Sequence, residues 1–525
     1  MKDAAKKYWA LILVFVMVTG VCALFSYRKS GMFIDEIYSY GLANSHYAPF
    51  VTSIKGGDMV DTVLTRQELT DYLSVGADDK FDFGSVYYNQ TQDVHPPLYY
   101  WLLNAASSLT GTGFTKWTGL ALNYLIYMLT LFFLCKLVLT LFGSLDNAAA
   151  TAVLYGLSVI GMSTMVMIRM YALLTLFTVL LAYFVARLMK EKRGWLYFAV
   201  GLTVFAGLMT QYYFVFYAFF LCAAYDIYAL VKREYRSLIL FSLSAFIGVG
   251  ALVAAFPACL TQLFANTLVS GGSAVQNLLD LSMYAFRIDS FYESCIYIKA
   301  LRNVFYAAIA LLLILSPRLV RAAKESKISL QALVICLPAP LTFILVAIVS
   351  PVIQPRYIYN IIPIIVLGVS FLFYLLESSL GQFRHSYAVK KLAVLLIAAA
   401  ALWEAKWLPP DYLYPEHKEY DRLLSQYSDS PCVCFDDNYP ASVTQNILQL
   451  LNFEDVFVAN DAASEKLADY IGDAERAVVY VDISQYWSSG FDADEILAQL
   501  SASFGFTECR PLYDYELTKT YILSK

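Results

Sequence analysis

Charge is scarce in this chain. Of its 525 residues only 15% are Asp, Glu, Lys or Arg, while 59% are hydrophobic and 16% aromatic; soluble domains carry about 25% charged residues. The shortage excludes an ordinary water-soluble globule and makes lipid the main solvent. Histidine is scarcer still, at four, so one set beside an acid stands out. The nine cysteines form no C-x-x-C pair, which removes the zinc and redox signatures built on that spacing. Six of them (Cys22, Cys135, Cys222, Cys259, Cys295, Cys336) lie in or beside apolar runs and read as small core residues. Cys432 or Cys434 could bridge to Cys509, leaving one thiol over. No internal repeat is visible. The net charge of −5 reflects an acidic C-terminal tail set against basic short loops, which does not suggest nucleic-acid binding.

What the chain has in abundance is long apolar runs. A helix needs about 20 apolar residues to cross the hydrocarbon core. Such runs fall near 8–26, 118–142, 148–168, 170–189, 195–211, 213–231, 237–256, 301–317, 328–350, 357–377 and 390–407. The expected fold is an all-α polytopic membrane bundle of about 11 transmembrane helices, followed by a small α/β domain. The first run follows Lys2, Lys6 and Lys7 and reads as an uncleaved signal anchor. Basic residues recur in alternate loops: Arg187, Lys190, Lys192 and Arg193; Lys232, Arg233 and Arg236; Arg318, Arg321, Lys324 and Lys327; Arg384, Lys390 and Lys391. The positive-inside rule puts these and the N-terminus in the cytoplasm, in a multi-pass cell-membrane protein. The first loop, 27–117, and everything after 408 then lie outside. Pro409-Pro410 marks a boundary, giving a membrane domain over 1–407 and a soluble extracytoplasmic domain over 408–525. Within the latter, strands are expected near 432–437, 455–460, 477–483 and 507–523, with helices near 441–452, 463–472 and 493–503.

A few ionisable residues break this pattern. Arg169 (Ile-Arg-Met-Tyr) and Arg356 (Gln354-Pro355-Arg356-Tyr357) stand at the outer starts of spans, and Arg28 and Lys29 close the first span on the same side. Taken singly, each is explained by snorkelling to lipid head groups. Together they resemble an anion site, since a guanidinium offers several donors in a fixed plane and stays charged, which suits a phosphate at the interface. Opposite them the first loop opens with Phe33-Ile34-Asp35-Glu36-Ile37-Tyr38. Asp35 there is a candidate helix cap over 36–44 with Glu36 in its first turn, a structural role compatible with general-base or metal chemistry. The same loop ends in Asp93-Val94-His95-Pro96-Pro97-Leu98-Tyr99-Tyr100-Trp101, where two prolines fix the backbone just after the acid and the imidazole. An amphipathic stretch then runs to about Leu109. A lone His is usually a satisfied hydrogen-bonding residue, as His46 illustrates; the Asp-x-His before a double proline is more pointed. Asp436-Asp437, at a strand's end in the tail, could bind a metal or substrate, although acids there are more often turn formers.

These residues resemble a known family, the GT-C fold membrane glycosyltransferases that use polyprenyl-phosphate sugars: protein O-mannosyltransferases, aminoarabinose transferases and the RgtA-like group. Asp35-Glu36 looks like that family's first-loop acidic motif, Asp93-Val94-His95-Pro96-Pro97-Leu98 like its Asp-Val-His-Pro-Pro-Leu element, and Arg169-Met170-Tyr171 like the Arg that starts a later span. The resemblance covers about residues 5–380. It implies an inverting transfer from a polyprenyl-phosphate sugar to an extracytoplasmic acceptor in the cell envelope. In that reading Asp35, Glu36 and Asp93 are catalytic, while His95, Arg169, Tyr171, Arg356, Tyr357, Arg28 and Lys29 bind substrate. A divalent metal is left open as cofactor, with Glu36 and His95 as its candidate ligands. Tyr99-Tyr100 departs from the family, which carries a Lys shortly after the prolines; Arg28, Lys29 and Arg287 are the cations left to replace it. The carbohydrate-binding repeats of eukaryotic members are missing, so a bacterial acceptor fits better. The rival reading is a transporter or flippase of a lipid-linked sugar, which would place its ionisable groups near the midplane and in repeats.

Overall fold

In the computed structural model, residues 2–111, 113–264, 271–295, 328–380, 409–437, 441–484 and 490–525 are described. They form two compact units. One comprises Met1–Ser26, Val94–Tyr99 and Leu120–Asp411, the other Tyr27–Asp93, Tyr100–Gly119 and Tyr412–Lys525. This differs from the single cut expected near 407: the first loop folds with the tail.

The first unit is helical. Among the described residues six helices are long and apolar enough to cross a membrane: Tyr8–Arg28, Lys116–Phe142, Tyr171–Leu188, Phe214–Val231, Tyr235–Ala255 and Leu330–Val349. Leu145–Gly156 and Val159–Val166 make a seventh if the pair, bent by 62°, is one span. The chain is a multi-pass membrane protein, and the described residues supply six or seven of the eleven expected spans by length and composition. The runs expected near 195–211 and 357–377 contain the shorter apolar helices Gly194–Leu208 and Pro355–Phe371. Those at 301–317 and 390–407 lie outside the described residues, as do the basic loops at 318–327 and 384–391. Where Gly194–Leu208 meets Tyr235–Ala255 the packing is close. A Cβ on Gly201 would lie 2.6 Å from the Ser244 carbonyl, and one on Gly248 2.5 Å from that of Gly201. Small residues let backbones approach in this way where lipid supplies no hydrophobic drive.

The bent pair has a local cause. Leu157 ends one helix and Ser158 caps the next, its Oγ accepting from Gly161 N at 3.1 Å. The Tyr127 hydroxyl donates to the carbonyls of Tyr155 and Gly156, at 3.3 and 3.1 Å, groups that the break takes out of the helical ladder. A Cβ at Gly161 would sit 2.3 Å from the Tyr155 carbonyl and 2.4 Å from the Tyr127 hydroxyl, so the bend requires glycine there.

The second unit is built on a six-stranded sheet: β1 (Thr62–Thr65), β2 (Cys432–Phe435), β3 (Asp455–Ala459), β4 (Arg476–Asp482), β5 (Glu508–Tyr515) and β6 (Thr518–Ser524), in the order β1-β3-β2-β4-β6-β5. The central strands β3, β2 and β4 run parallel; β1, β6 and β5 are added antiparallel. The helices Ala441–Leu450, Glu465–Ile471 and Ala493–Phe504 fall where the tail's periodicity places them. Two differences stand out. The expected strand 507–523 is a hairpin turning at Glu516, whose φ is 29°. The edge strand β1 comes from the first loop, pairing Thr62 with Val458 and Thr65 with Asp455. Arg66, just after it, donates to the carbonyls of Phe453 and Asn452, at 2.9 and 3.2 Å. Thr65 and Glu68 close a capping box on the helix Arg66–Leu73. Val433, Phe435, Phe457, Val479, Val481 and Leu500 are among the buried residues of this unit's core. All nine cysteines are free; Cys432 and Cys434 are buried on β2 and Cys509 is exposed on β5.

Candidate active site

The acidic motif lies in the second unit. The helix Ile34–Asn44 begins after Phe33, with Asp35 and Glu36 in its first turn. Asp35 is therefore not the cap. Glu36 takes that role: its Oε2 accepts from Phe33 N at 2.8 Å and also from Lys29 Nζ at 2.9 Å. The Lys29–Glu36 pair is fully buried. Lys29 donates further to the Tyr412 carbonyl at 2.5 Å, and Lys116 donates to the Lys29 carbonyl. Burial pushes the Lys29 pKa down, against the Glu36 carboxylate, which raises it. Lys29 and Glu36 are thus tied to each other at the start of the helix that carries Asp35. Asp35 is half-buried and one position away. Arg28 is exposed, in keeping with a snorkelling end of the first span.

Asp93 follows the helix Phe83–Gln92 as its C-terminal cap position. Its charge adds to burial in raising the Tyr72 phenol, whose hydroxyl donates to the Pro49 carbonyl at 3.3 Å. His46 Nδ1 lies 3.1 Å from Asp79 and 3.4 Å from Asp82, so this imidazole has two carboxylate neighbours and is not idle. Asp436 is a turn former: its carboxylate accepts from Asp437 N at 3.0 Å and Val443 N at 3.1 Å at the head of Ala441–Leu450. Burial, then Asp482, pushes its pKa well above the usual carboxylate range.

The cations lie in the first unit. Arg169 occupies the non-helical turn between Val159–Val166 and Tyr171–Leu188 and is 4% exposed; Arg356 opens the 3-10 helix Pro355–Ile361 and is 9% exposed. A snorkelling head sits in water. These two do not, so that explanation fails for both. The segments carrying them are held together by Asn360 Nδ2, which donates to Thr178 Oγ1 at 3.2 Å, and by the Tyr171 and Tyr359 rings, edge to face at 6.4 Å. Arg356 lies 5.8 Å from the Tyr357 ring, within cation–π range, and donates from Nη1 to Gln354 Oε1 at 3.4 Å. Tyr357 stacks edgewise on Tyr213 at 5.1 Å. His95 joins this unit: its Nδ1 is 3.5 Å from Arg169 Nη2. Because a guanidinium can only donate, Nδ1 is the accepting nitrogen in that contact. Arg287 caps a helix end instead, donating to the Ser350 carbonyl at 3.1 Å and to Asn277 Oδ1 at 2.6 Å.

Three residues here were not expected from sequence. Tyr359 donates to Asp411 Oδ2 at 3.3 Å, and Asp411 N donates to Ser163 Oγ at 3.0 Å. Asn123, fully buried in Lys116–Phe142, donates to the carbonyls of Met165 and Met167 just before Arg169. The available signal for Asn123 was a lone amide within an apolar run; for Asp411 it was an acid next to the double proline. Among the described residues no group of three or more His, Cys, Asp or Glu side chains is placed to hold a metal ion.

The apo structure of ArnT from Cupriavidus metallidurans aligns over 99% of this chain and 98% of its own, with a TM-score of 0.50 at 13% identity. The fold is GT-C. Residues 94–260, beginning within the His-Pro-Pro motif and including Asn123 and Arg169, match the family model described as dolichyl-phosphate-mannose-protein mannosyltransferase. ArnT bound to undecaprenyl phosphate aligns with a TM-score of 0.47 at 12% identity, covering 98% of this chain and 97% of that one. The archaeal oligosaccharyltransferase AglB from Archaeoglobus fulgidus, in complex with an inhibitory peptide and a dolichol-phosphate, gives 0.44 at 11% identity, covering 98% and 74%. No curated protein matches the sequence.

Proposed function

We propose that this GT-C protein is a membrane glycosyltransferase that moves a sugar from a polyprenyl-phosphate donor to a hydroxyl acceptor outside the cytoplasm, with inversion. The observation that carries this reading is the burial of Arg169 and Arg356 on segments that pack together at helix starts. Guanidinium groups withheld from solvent and fixed in orientation suit a phosphate, whose planar recognition they match. The family model over residues 94–260 supports the same donor class. In this reading Asp35 removes the acceptor proton as the oxygen attacks the anomeric carbon. The bond from that carbon to the phosphate oxygen breaks, and the departing phosphate's charge is taken up by Arg169 and Arg356. Asp93 assists on the acid side and His95 orients Arg169. Tyr357 gives Arg356 an aromatic wall, and Tyr171 packs its ring on Tyr359 beside it to line the substrate.

Glu36, whose Oε2 accepts from Lys29 Nζ and Phe33 N, holds the first turn of the helix that carries Asp35. The test is to supply purified protein with a panel of polyprenyl-phosphate sugars and candidate acceptors and to measure donor consumption. Consumption that Asp35→Asn abolishes supports the transferase. Movement of the lipid-linked sugar between leaflets without consumption would replace it with a flippase.

A further inference from the structure

Arg169 stands where the backbone leaves one helix and starts another, so its own carbonyl and amide neighbours cannot all be satisfied by helical bonds. Something else must fix its direction. Met167 N still bonds back to the Ser163 carbonyl at 3.1 Å, but the Met167 carbonyl turns to accept Arg169 N at 2.8 Å, in a three-residue turn. That same carbonyl accepts from Asn123 Nδ2 at 2.5 Å, and the Met165 carbonyl accepts from the same amide at 3.2 Å. Two carbonyl acceptors settle which end of the Asn123 side chain is the amine. Its Oδ1 accepts in turn from the Tyr99 hydroxyl at 3.0 Å. Tyr99 and Asn123 are both fully buried, so this chain of hydrogen bonds has no water to replace it. Tyr99 is itself anchored: it follows Pro96-Pro97, and Leu98 N donates to the Met209 carbonyl at 3.0 Å. Through Asn123, Tyr99 thus reaches the Met167 carbonyl that accepts Arg169 N.

We propose that Tyr99 and Asn123 are positioning residues for Arg169, together fixing the helix break so that its guanidinium is preorganised for the donor's phosphate. The inference rests on the phosphate role proposed for Arg169. It goes further by naming the groups through which the His-Pro-Pro segment controls that role. A guanidinium carried on a loosened turn loses fixed geometry, and with it part of its affinity for phosphate.

The test is binding of undecaprenyl phosphate to the full chain in lipid nanodiscs, with undecaprenol, which lacks the phosphate, as control ligand. Wild type, Asn123→Leu, Tyr99→Phe, Arg169→Ala and the Asn123→Leu/Arg169→Ala double variant are compared. The expected result is that Arg169→Ala and Asn123→Leu each weaken undecaprenyl phosphate about tenfold, as loss of one charge-assisted hydrogen bond does, and leave undecaprenol unchanged. Tyr99→Phe, which keeps the ring and its packing, weakens it about threefold, corresponding to a weaker secondary bond. The double variant binds no worse than Arg169→Ala alone, because Asn123 acts only through Arg169. A general packing defect would instead give additive losses, or losses for both ligands. If Arg169→Ala weakens binding while Asn123→Leu and Tyr99→Phe do not, or if the losses add, the positioning role is overturned and the phosphate reading stands. If Arg169→Ala has no effect, the phosphate reading falls and takes this inference with it. Should Asn123→Leu fail to fold, the Tyr99→Phe comparison in both backgrounds decides the matter.

Discussion

Glu36 accepts from the Lys29 ammonium with both side chains fully buried, so removing either partner strands a charge away from water. Glu36→Ala is expected to lower stability by about 3–5 kcal/mol, read as a fall in the thermal unfolding midpoint. Lys29→Met/Glu36→Gln should recover most of that, since the charges leave together and the glutamine oxygen still accepts from Phe33 N. Asp35, its neighbour, should show the opposite phenotype: Asp35→Asn changes stability by less than about 1 kcal/mol, the scale of a helix-dipole effect, and removes turnover. His417 gives a pH signature. It is buried, Gln449 Nε2 and its Nδ1 share a hydrogen bond at 2.8 Å, and burial, with Lys29 adding to it, pushes the imidazole down from 6.5 to about 4. The unfolded chain then binds the proton first, so stability is full above pH 6.5 and is lost as pH falls towards 4. The loss from this group is about 2 kcal/mol by pH 5. His417→Gln should remove this component from the midpoint-versus-pH curve; a curve unchanged by the substitution would refute it. At this scale the sequence was most informative where a residue contradicted its surroundings. Arg169 and Arg356 were visible because charge does not belong at those span starts. The pairing of Glu36 with Lys29 was not, because nothing in the sequence pattern brings Lys29 against that carboxylate.

Among the elements, apolar length located the long helices and the tail's alternation located β2, β3 and β4 to within a residue or two. The break at Gly156–Ser158 was hidden because the apolar run continues across it, and the close approach that Gly161 permits leaves no mark in that pattern. Gly161→Ala should therefore cost about 1–3 kcal/mol through overpacking against the Tyr155 carbonyl, again read from the unfolding midpoint. β1 escaped notice because four residues carry too little pattern to separate a strand from a loop. Its pairing with β3 can be probed directly. Leu64→Pro places a ring and removes an N–H in a fully buried strand position. Limited proteolysis of that variant should cut the first loop between Lys55 and Arg66 at least about tenfold faster than wild type, the ratio set by a loss of about 1.4 kcal/mol in local opening. Equal cleavage rates would mean that β1 contributes nothing to the order of the loop.

For the whole molecule, the sequence supplied the membrane class and the motif resemblance, and the fold bears out both. What it could not supply was the grouping of distant segments. The first loop and the tail share one sheet, and the His95–Tyr99 stretch leaves the loop to join the helical unit. Such groupings arise from backbone pairing and single buried amides, which leave no periodic trace. In the proposed reaction Asp35 acts on the acceptor hydroxyl, and Arg169 and Arg356 on the leaving phosphate. The most direct measurement is release of free polyprenyl phosphate from a radiolabelled polyprenyl-phosphate sugar by wild type and by Asp35→Asn in nanodiscs, alongside donor binding by both. The account predicts acceptor-dependent release by wild type, loss of that release in Asp35→Asn by at least about a hundredfold, in the range of a general base, and unchanged donor binding. Release that persists in Asp35→Asn would contradict it.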